Sequence, residues 1–341
     1  MQKCQDMLQC NYPRKNKKMY KYTKVSENIQ KILIDNPRTE NEKLTWTNVV
    51  NAGKKEIEYL RKKYNFSMEY LRSAMSTAIS QRTIIEKTDK YFFLILHFPV
   101  IENNQLVASE INFFIGHGYL ITAHNGNISA FNEFFNFCRK DADSLMAHEM
   151  ESSSILLYEI LEKLILYCFG ILDKTSEEIG QLNNIIFDQH IHKKSVARIL
   201  SLRRNIINFR KIMQNHKNTL KKLMEMESSI VPTVHIKKQY KELIERSKRI
   251  WEILENQKDM VDVLFQTNES LLNYRLNDII KTLTIFSVIV FPLTLLAAVF
   301  GMNITGGMPF VNINNGFWII ISIMIFCSLG MLFLFENKKW L

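Results

Sequence analysis

Proline and glycine are scarce in this chain, 6 and 11 among 341 residues, and beyond Gly126 long stretches hold neither. Neither occurs from Asn127 to Phe169, from Gln181 to Val231 or from Thr233 to Phe291. Such gaps exclude a turn-rich β architecture for that part and read as long helices. Cysteine is sparse too: Cys4, Cys10, Cys138, Cys168 and Cys327 show no CxxC spacing and no histidines in zinc-finger register. That excludes a disulfide framework and a structural metal site, leaving free thiols suited to a reducing compartment. A phosphate-binding glycine loop, a nucleophile elbow, an HExxH pair and a kinase motif set are all missing, so no enzymatic chemistry is indicated. The net charge of +10 has no base-stacking or basic-aromatic motif beside it, which argues against nucleic acid and for location as its meaning. Met1 to Lys24 lacks the apolar core of a cleavable signal. Its cluster Arg14, Lys15, Lys17, Lys18, Lys21 and Lys24 reads as a solvated tail, with a targeting arm as the alternative.

What is present begins with β signals. Tyr91 to Val100 and Glu110 to Ala123 are aromatic, β-rich runs joined through the polar turn Glu102-Asn103-Asn104, and they read as adjacent strands. Lys43 to Val50 is a third candidate strand, while Lys54 to Tyr64 and Met68 to Ser76 read as short helices. The sum is an α/β domain over residues 41–130, preceded by a basic tail over 1–40. His97, His117 and His124 lie on or beside strands, where structural histidines are commoner than ligands.

Residues 131–232 read as long antiparallel helices, folding back near Gly170 to Gly180. In the next run Ile250, Leu254, Val261, Leu264 and Leu271 recur at steps near three and four, with Gln257 and Asn268 at the intervening seam positions. This stalk helix, over residues 233–300, runs without a stop signal into an apolar segment and is about 100 Å long. His190 and His192 point about 200° apart on a helix, which argues against a chelate.

Two uncharged apolar runs close the chain, Leu283 to Phe300 and Phe317 to Phe335, each long enough to cross a bilayer. The loop over 301–316 carries no Lys or Arg, whereas Arg275 and Lys281 precede the first run and Lys338 and Lys339, in the basic tail over 336–341, follow the second. The positive-inside rule then places both termini in the cytoplasm. Asn277, Thr284, Ser287, Phe291 and Thr294 fall at helical steps of three, four or seven, with Ile280 and Leu283 among them. That face is either the lining of a path, or one whose Ser and Thr back-bond to helix carbonyls. Two spans per chain cannot enclose a path, so a conducting protein of this kind oligomerises.

Several segments together carry a family resemblance. Asn277 to Thr284, Phe291-Pro292-Leu293-Thr294, Phe300-Gly301-Met302-Asn303 and Met308-Pro309 resemble the signature of CorA-type magnesium transporters, whose loop motif is Gly-Met-Asn. The resemblance extends through Tyr91 to Pro99, Tyr119 to Thr122 and Ile199 to Arg210, ends in Lys338-Lys339-Trp340-Leu341, and covers residues 41–341. It implies a funnel-shaped homopentamer, each chain having an α/β cytoplasmic domain, a long helical stalk and two transmembrane helices. It implies a passive divalent-cation channel, chiefly for Mg²⁺ uptake driven by membrane potential, without an organic cofactor, in a bacterial-type cell membrane. Gly301, Met302 and Asn303 would form the selectivity filter, and Asn277, Ile280, Leu283, Thr284, Ser287, Phe291 and Thr294 would line the pore. Mg²⁺ would also be the regulatory ion, held between neighbouring cytoplasmic domains by Glu69, Glu242, Asp259 and Asp262.

The chain departs from the family pattern in two places. Many relatives carry an acid after Met-Pro, whereas Phe310 and the uncharged Val311 to Gly316 follow Pro309 here; and the acidic pair near the first helices is Glu69-Tyr70. Two further readings stand beside this one. The same fold could carry Co²⁺, Ni²⁺ or Zn²⁺, though the loop offers no Cys or His. A membrane-anchored helical scaffold or receptor would leave Gly-Met-Asn and the polar face without a role.

Overall fold

The computed structural model describes residues 20–35, 43–75, 83–140, 152–187, 192–226, 235–302, 309 and 315–338. They divide into two compact units, at Met1–Leu264 and Phe265–Leu341. The first is built on one seven-stranded sheet of β1 (Tyr20–Lys24), β2 (Ile29–Asp35), β3 (Lys43–Val50), β4 (Ile84–Lys87), β5 (Tyr91–Glu102), β6 (Gln105–Gly116) and β7 (Tyr119–His124). Its order is β1-β2-β3-β7-β6-β5-β4. β3 and β7 pair in parallel, Trp46 opposite Leu120 and Asn48 opposite Thr122, and the other neighbours are antiparallel.

Strand β5, next to the edge strand β4, is buried from Tyr91 to Val100 without alternation. That pattern requires cover on both faces of the sheet. On one face α1 (Lys54–Tyr64) and α2 (Met68–Ser73) close a core of Ile29, Val49, Ile57, Leu60, Phe66, Leu71, Phe93, Phe114 and Ile121. On the other, α3 (Ser129–Lys140) brings Phe131 and Phe135 edge-on to the buried Trp46, at ring separations of 6.1 and 4.9 Å. Further described helices of the unit are α4 (Ser153–Phe187), α5 (His192–Met213) and α6 (His216–Glu225). Ser153 at the start of α4 donates to the Gly116 carbonyl at 2.8 Å, which ties that helix to the end of β6.

The structure revises the sequence reading in several places. The supposed basic tail over 1–40 supplies β1 and β2, which extend the sheet; Ile29, Ile32 and Ile34 are buried there, and residues 1–19 lie outside the described ones. The Glu110 to Ala123 run is two strands, because Gly118 at φ 74° turns the chain after His117 and its carbonyl accepts from Thr45 N at 2.9 Å. The β5–β6 turn falls at Asn103 and Asn104, both left-handed at φ 50° and 60°, which suits a two-residue hairpin. The fold-back at Gly170 to Gly180 does not occur: α4 runs through both glycines for 35 residues. Each glycine faces open space, and a penalty of about 1 kcal/mol against alanine cannot break a helix that buries Leu164, Cys168, Leu172, Ile179 and Leu182. The Asn127 to Phe169 run comprises α3 and the first part of α4, with 141–151 outside the described residues. The Gln181 to Val231 run contains the end of α4, then α5 and α6, which part at Gln214-Asn215.

α7 (His235–Phe300) continues for 66 residues, through Pro292. Its seam is as the periodicity implied: Ile250, Leu254, Val261, Leu264, Gln257 and Asn268 are buried, while Leu271 is half-buried. Against α4 and α5 it is fastened by Arg246–Glu162 and Arg210–Glu255, both 2.7 Å, and Arg203–Asp262, 2.9 Å. α8 (Gly316–Asn337) is the other helix of the second unit. α7 and α8 are the two described helices long and apolar enough to cross a membrane.

Candidate functional site

The polar stripe on α7 starts from helical geometry. At about 100° per residue, Asn277, Ile280, Leu283, Thr284, Ser287, Phe291 and Thr294 share an arc of roughly 120°. Ser287 is half-buried, and all the others are exposed within the single chain, Ile280 at 58 %, Leu283 at 63 % and Phe291 at 75 %. A face of this composition gains nothing from water, since Ile280, Leu283 and Phe291 are large and apolar.

The hydroxyls on this face are all back-bonded. Thr284 Oγ1 donates to the Ile280 carbonyl at 2.7 Å, Ser287 Oγ to that of Leu283 at 2.8 Å and Thr294 Oγ1 to that of Val290 at 2.9 Å. Each side chain therefore spends its proton on the helix and turns only oxygen lone pairs outward. Pro292 adds another acceptor, because it has no N–H for the Val288 carbonyl.

The helix is terminated at Gly301, whose N–H bonds to the Ala297 carbonyl at 2.9 Å, followed by Met302 N to Val299 O at 3.3 Å. A Cβ on Gly301 would meet the Ala297 oxygen at 3.1 Å, so the last turn packs close at this point. Gly301 and Met302 are exposed; Asn303 lies outside the described residues. α8 begins with Phe317 and Trp318, 69 % and 68 % exposed, and continues with exposed Phe326 and Phe333. Aromatic residues at a helix end of this kind suit a membrane–water boundary.

The four acids named for regulation all lie in the first unit and are dispersed there. Glu69 is exposed in the first turn of α2, and Glu242 is exposed on α7. Asp259 and Asp262 are neighbours on α7, bridged by Lys258 Nζ at 3.2 and 3.5 Å. Asp262 also receives Arg203 of α5. Among the described residues, no three metal-capable side chains gather in one place. Sequence reasoning missed Lys258 and Arg203; adjacency made the first legible, but nothing in the sequence points to the second.

The buried histidines His97, His124 and His216 are structural. His124 Nε2 is 2.9 Å from Asn48 Oδ1 and its Nδ1 accepts from Gly126 N at 3.0 Å, while burial pushes its pKa down to about 4. His97 sits 3.3 Å from Glu110, and its carbonyl is 2.7 Å from His216 Nε2. His117 is exposed in the β6–β7 turn. His190 lies outside the described residues, so the His190–His192 pair cannot be placed.

Comparison with known proteins agrees with this layout. The family model described as CorA-like Mg2+ transporter protein matches residues 41–339. The cobalt/magnesium transport protein CorA of Methanocaldococcus jannaschii is 20 % identical over 311 residues, covering 90 % of this chain and 95 % of that protein. The protein of the same name from Thermotoga maritima is 22 % identical over 304 residues, covering 87 % and 83 %. In structure, the complete CorA magnesium transporter of M. jannaschii superposes with a TM-score of 0.75 at 20 % identity, covering 87 % of this chain and 92 % of the other. That likeness shows the fold: an α/β domain, a long helix and two apolar C-terminal helices.

Proposed function

Because this chain belongs to the family of CorA-like Mg2+ transporter proteins, we propose that it is a homopentameric channel, funnel-shaped, conducting divalent cations, chiefly Mg²⁺, passively through a membrane. The observation that carries this reading is the α7 face from Asn277 to Thr294, uncharged, open within one chain and leading directly to Gly301. Five such faces around an axis bury their apolar residues against one another and give the polar ones a role. Apolar rings of Ile280, Leu283 and Phe291 close the path by dewetting. Asn277 forms a polar ring at the cytoplasmic mouth.

Mg²⁺ gives up its water reluctantly, so the filter binds it hydrated. Coordinated water presents hydrogens outward, and the outward lone pairs of Thr284, Ser287 and Thr294 are acceptors for them. At the outer end the Asn303 amides, the Gly301 carbonyls and Met302 form the filter. Neutral oxygens hold a hydrated divalent ion weakly enough to release it, where a carboxylate ring would retain it. A potential of 100 mV supplies about 4.6 kcal/mol for a divalent ion. No nucleotide or organic cofactor takes part, and the protein is not an enzyme. Both termini are cytoplasmic, in a bacterial-type cell membrane.

Intracellular Mg²⁺ closes the channel by binding among Glu69, Glu242, Asp259 and Asp262 with a neighbouring subunit. Within one chain these acids do not converge, so a second subunit supplies what is missing. Lys258 shields Asp259 and Asp262 in its place when Mg²⁺ is scarce. A second reading, Co²⁺ as a further cargo, is favoured by the name of the M. jannaschii and T. maritima proteins and by a filter that does not strip the ion. The test is Mg²⁺ uptake into liposomes under a negative-inside potential with low internal Mg²⁺. Uptake by the wild-type protein that disappears in Asn303→Ala, with the oligomer intact, supports the channel; no flux from an assembled wild type moves the reading to a tethered scaffold.

A further inference from the structure

Arg203 and Arg210 stand seven residues apart on α5, and their partners Asp262 and Glu255 stand seven apart on α7 in the opposite chain direction. Seven residues are about two helical turns, so the pairs are two rungs between antiparallel helices, about 10 Å from each other. The rungs differ in quality. Arg210 Nη2 donates to Glu255 Oε2 at 2.7 Å, and its guanidinium carbon lies 4.9 Å from the centre of the Trp251 ring. Arg203 Nε is 2.9 Å from Asp262 Oδ1, yet neither of these buried atoms has a hydrogen-bond partner, so this rung is an ion pair without hydrogen-bond alignment.

The other ties of α5 gather beside the stronger rung. Asn205 Oδ1 accepts from Leu106 N at 3.1 Å, and its Nδ2 donates to the Asn104 carbonyl at 3.2 Å. Asn208 Nδ2 donates to the Leu106 carbonyl at 3.1 Å. Over residues 196–204 the Arg203–Asp262 rung is the one polar side-chain tie among the described residues, and Ile199 and Leu202 hold the rest by burial. Along this stretch a cavity of about 640 Å³ separates α5 from α4 and the β5–β6 hairpin, with Ser201 and Leu202 on one wall and Thr175 and Glu178 on another. Room to move and a single weak tie coincide.

We propose that residues 196–204 of α5 form a strap that is released when a divalent cation replaces Arg203 on Asp262. Arg203 occupies the carboxylate while divalent cation is scarce. A divalent cation taken up by Asp262 with Asp259 displaces Arg203, and the strap opens about the fixed segment from Asn205 to Arg210. The trigger rests on the reading that these two acids take intracellular Mg²⁺; the strap itself does not. The Arg203 and Asp262 side chains are 42 % and 27 % open to solvent, so a cation reaches them from solution. Lys258 Nζ, 3.5 Å from Asp262 Oδ2, leaves with Arg203. A guanidinium and a divalent ion on one carboxylate repel each other at close range, so the two occupants exclude one another.

The test is amide hydrogen exchange of the full-length protein in lipid nanodiscs, read by mass spectrometry in peptides covering 196–204 and 207–213. Loss of a partly exposed ion pair is expected to speed exchange over 196–204 about threefold and to leave 207–213 unchanged. Arg203→Met shows that increase without Mg²⁺, whereas Arg203→Lys, which keeps a cation there, stays nearer the wild type. Millimolar Mg²⁺ produces the same increase in the wild type and adds nothing in Arg203→Met. Equal exchange in wild type and Arg203→Met without Mg²⁺, or an increase spread evenly along α5, overturns the strap. Mg²⁺ binding to the same samples is followed by calorimetry. Binding that is weakened in the double variant Asp259→Asn with Asp262→Asn, beside wild-type exchange that Mg²⁺ does not move, overturns the release and leaves the regulatory reading standing. Binding untouched by that double variant overturns the trigger and the regulatory reading together.

Discussion

Gln257 on α7 donates from Nε2 to the main-chain carbonyl of Leu172 on α4 at 2.9 Å, and to Ser176 Oγ at the same distance. It occupies a seam position between Leu254 and Val261, buried, so a polar side chain fixes the register of two long helices where an apolar one would let them slide. Gln257→Ala is expected to destabilise the first unit by about 1 to 3 kcal/mol through the lost bonds and the cavity left behind. A fall in the apparent melting temperature of purified protein checks this; an unchanged value refutes the register role.

The proposed filter makes a directional prediction beyond simple loss. Asn303→Asp replaces neutral oxygens by a carboxylate ring, which binds a divalent ion more tightly and releases it more slowly. Half-saturation of uptake should shift to lower external Mg²⁺ while the maximal rate falls severalfold. A rise in both would refute a filter that works by weak binding.

Leu283 is proposed as an apolar constriction, so a polar residue there should keep the path wet. Leu283→Ser is expected to raise Mg²⁺ leak at high internal Mg²⁺, where the proposed gating closes the wild type. Flux into Mg²⁺-loaded liposomes reads the difference, and a tightly closed variant removes Leu283 from the gate.

Lys258 competes with Mg²⁺ for Asp259 and Asp262 on the reading given above. Lys258→Met should therefore lower the internal Mg²⁺ that half-closes the channel, by severalfold, with conduction at low Mg²⁺ unchanged. The double change Asp259→Asn with Asp262→Asn should move the midpoint the other way.

His216 and His124 are buried and burial lowers both to about 4, from 6.5. The folded state holds them neutral, so below pH 6.5 the unfolded chain binds protons that the folded one refuses. Their contribution to stability is complete above about 6.5 and is lost as pH falls from there to about 4. Denaturation of the first unit followed between pH 7 and 4 should show this slope, reduced in His216→Gln; an equal slope in both would exclude His216 as a contributor.

Much of the layout was legible in residue order, because the signals are local. Asn103-Asn104 marked a hairpin, the seam from Ile250 to Leu264 marked a buried helix face, and the scarcity of charge after Lys281 marked two segments long and apolar enough to span a membrane. The misreadings have equally local causes. Gly170 and Gly180 looked like breaks because an isolated glycine cannot reveal that its helix is anchored by buried neighbours on either side. The strands β1 and β2 were hidden by the lysines interleaved with their apolar residues, since Lys31 and its neighbours make a strand look like a solvated tail.

Periodicity states which face of an element is buried, and composition states which segments prefer hydrocarbon to water; the sequence by itself therefore determined the long helices, the two apolar spans and the polar stripe leading to Gly301. Neither quantity names a partner. That Gln257 meets Leu172 across 85 residues, that β3 lies parallel to β7, that Arg203 and Lys258 converge on Asp262 and that Lys31 shares the Tyr64 ring with Lys63 were decided only by the tertiary structure. Such pairings depend on how distant faces pack at once, and packing depends on shape and chain path, which no local pattern of residues carries.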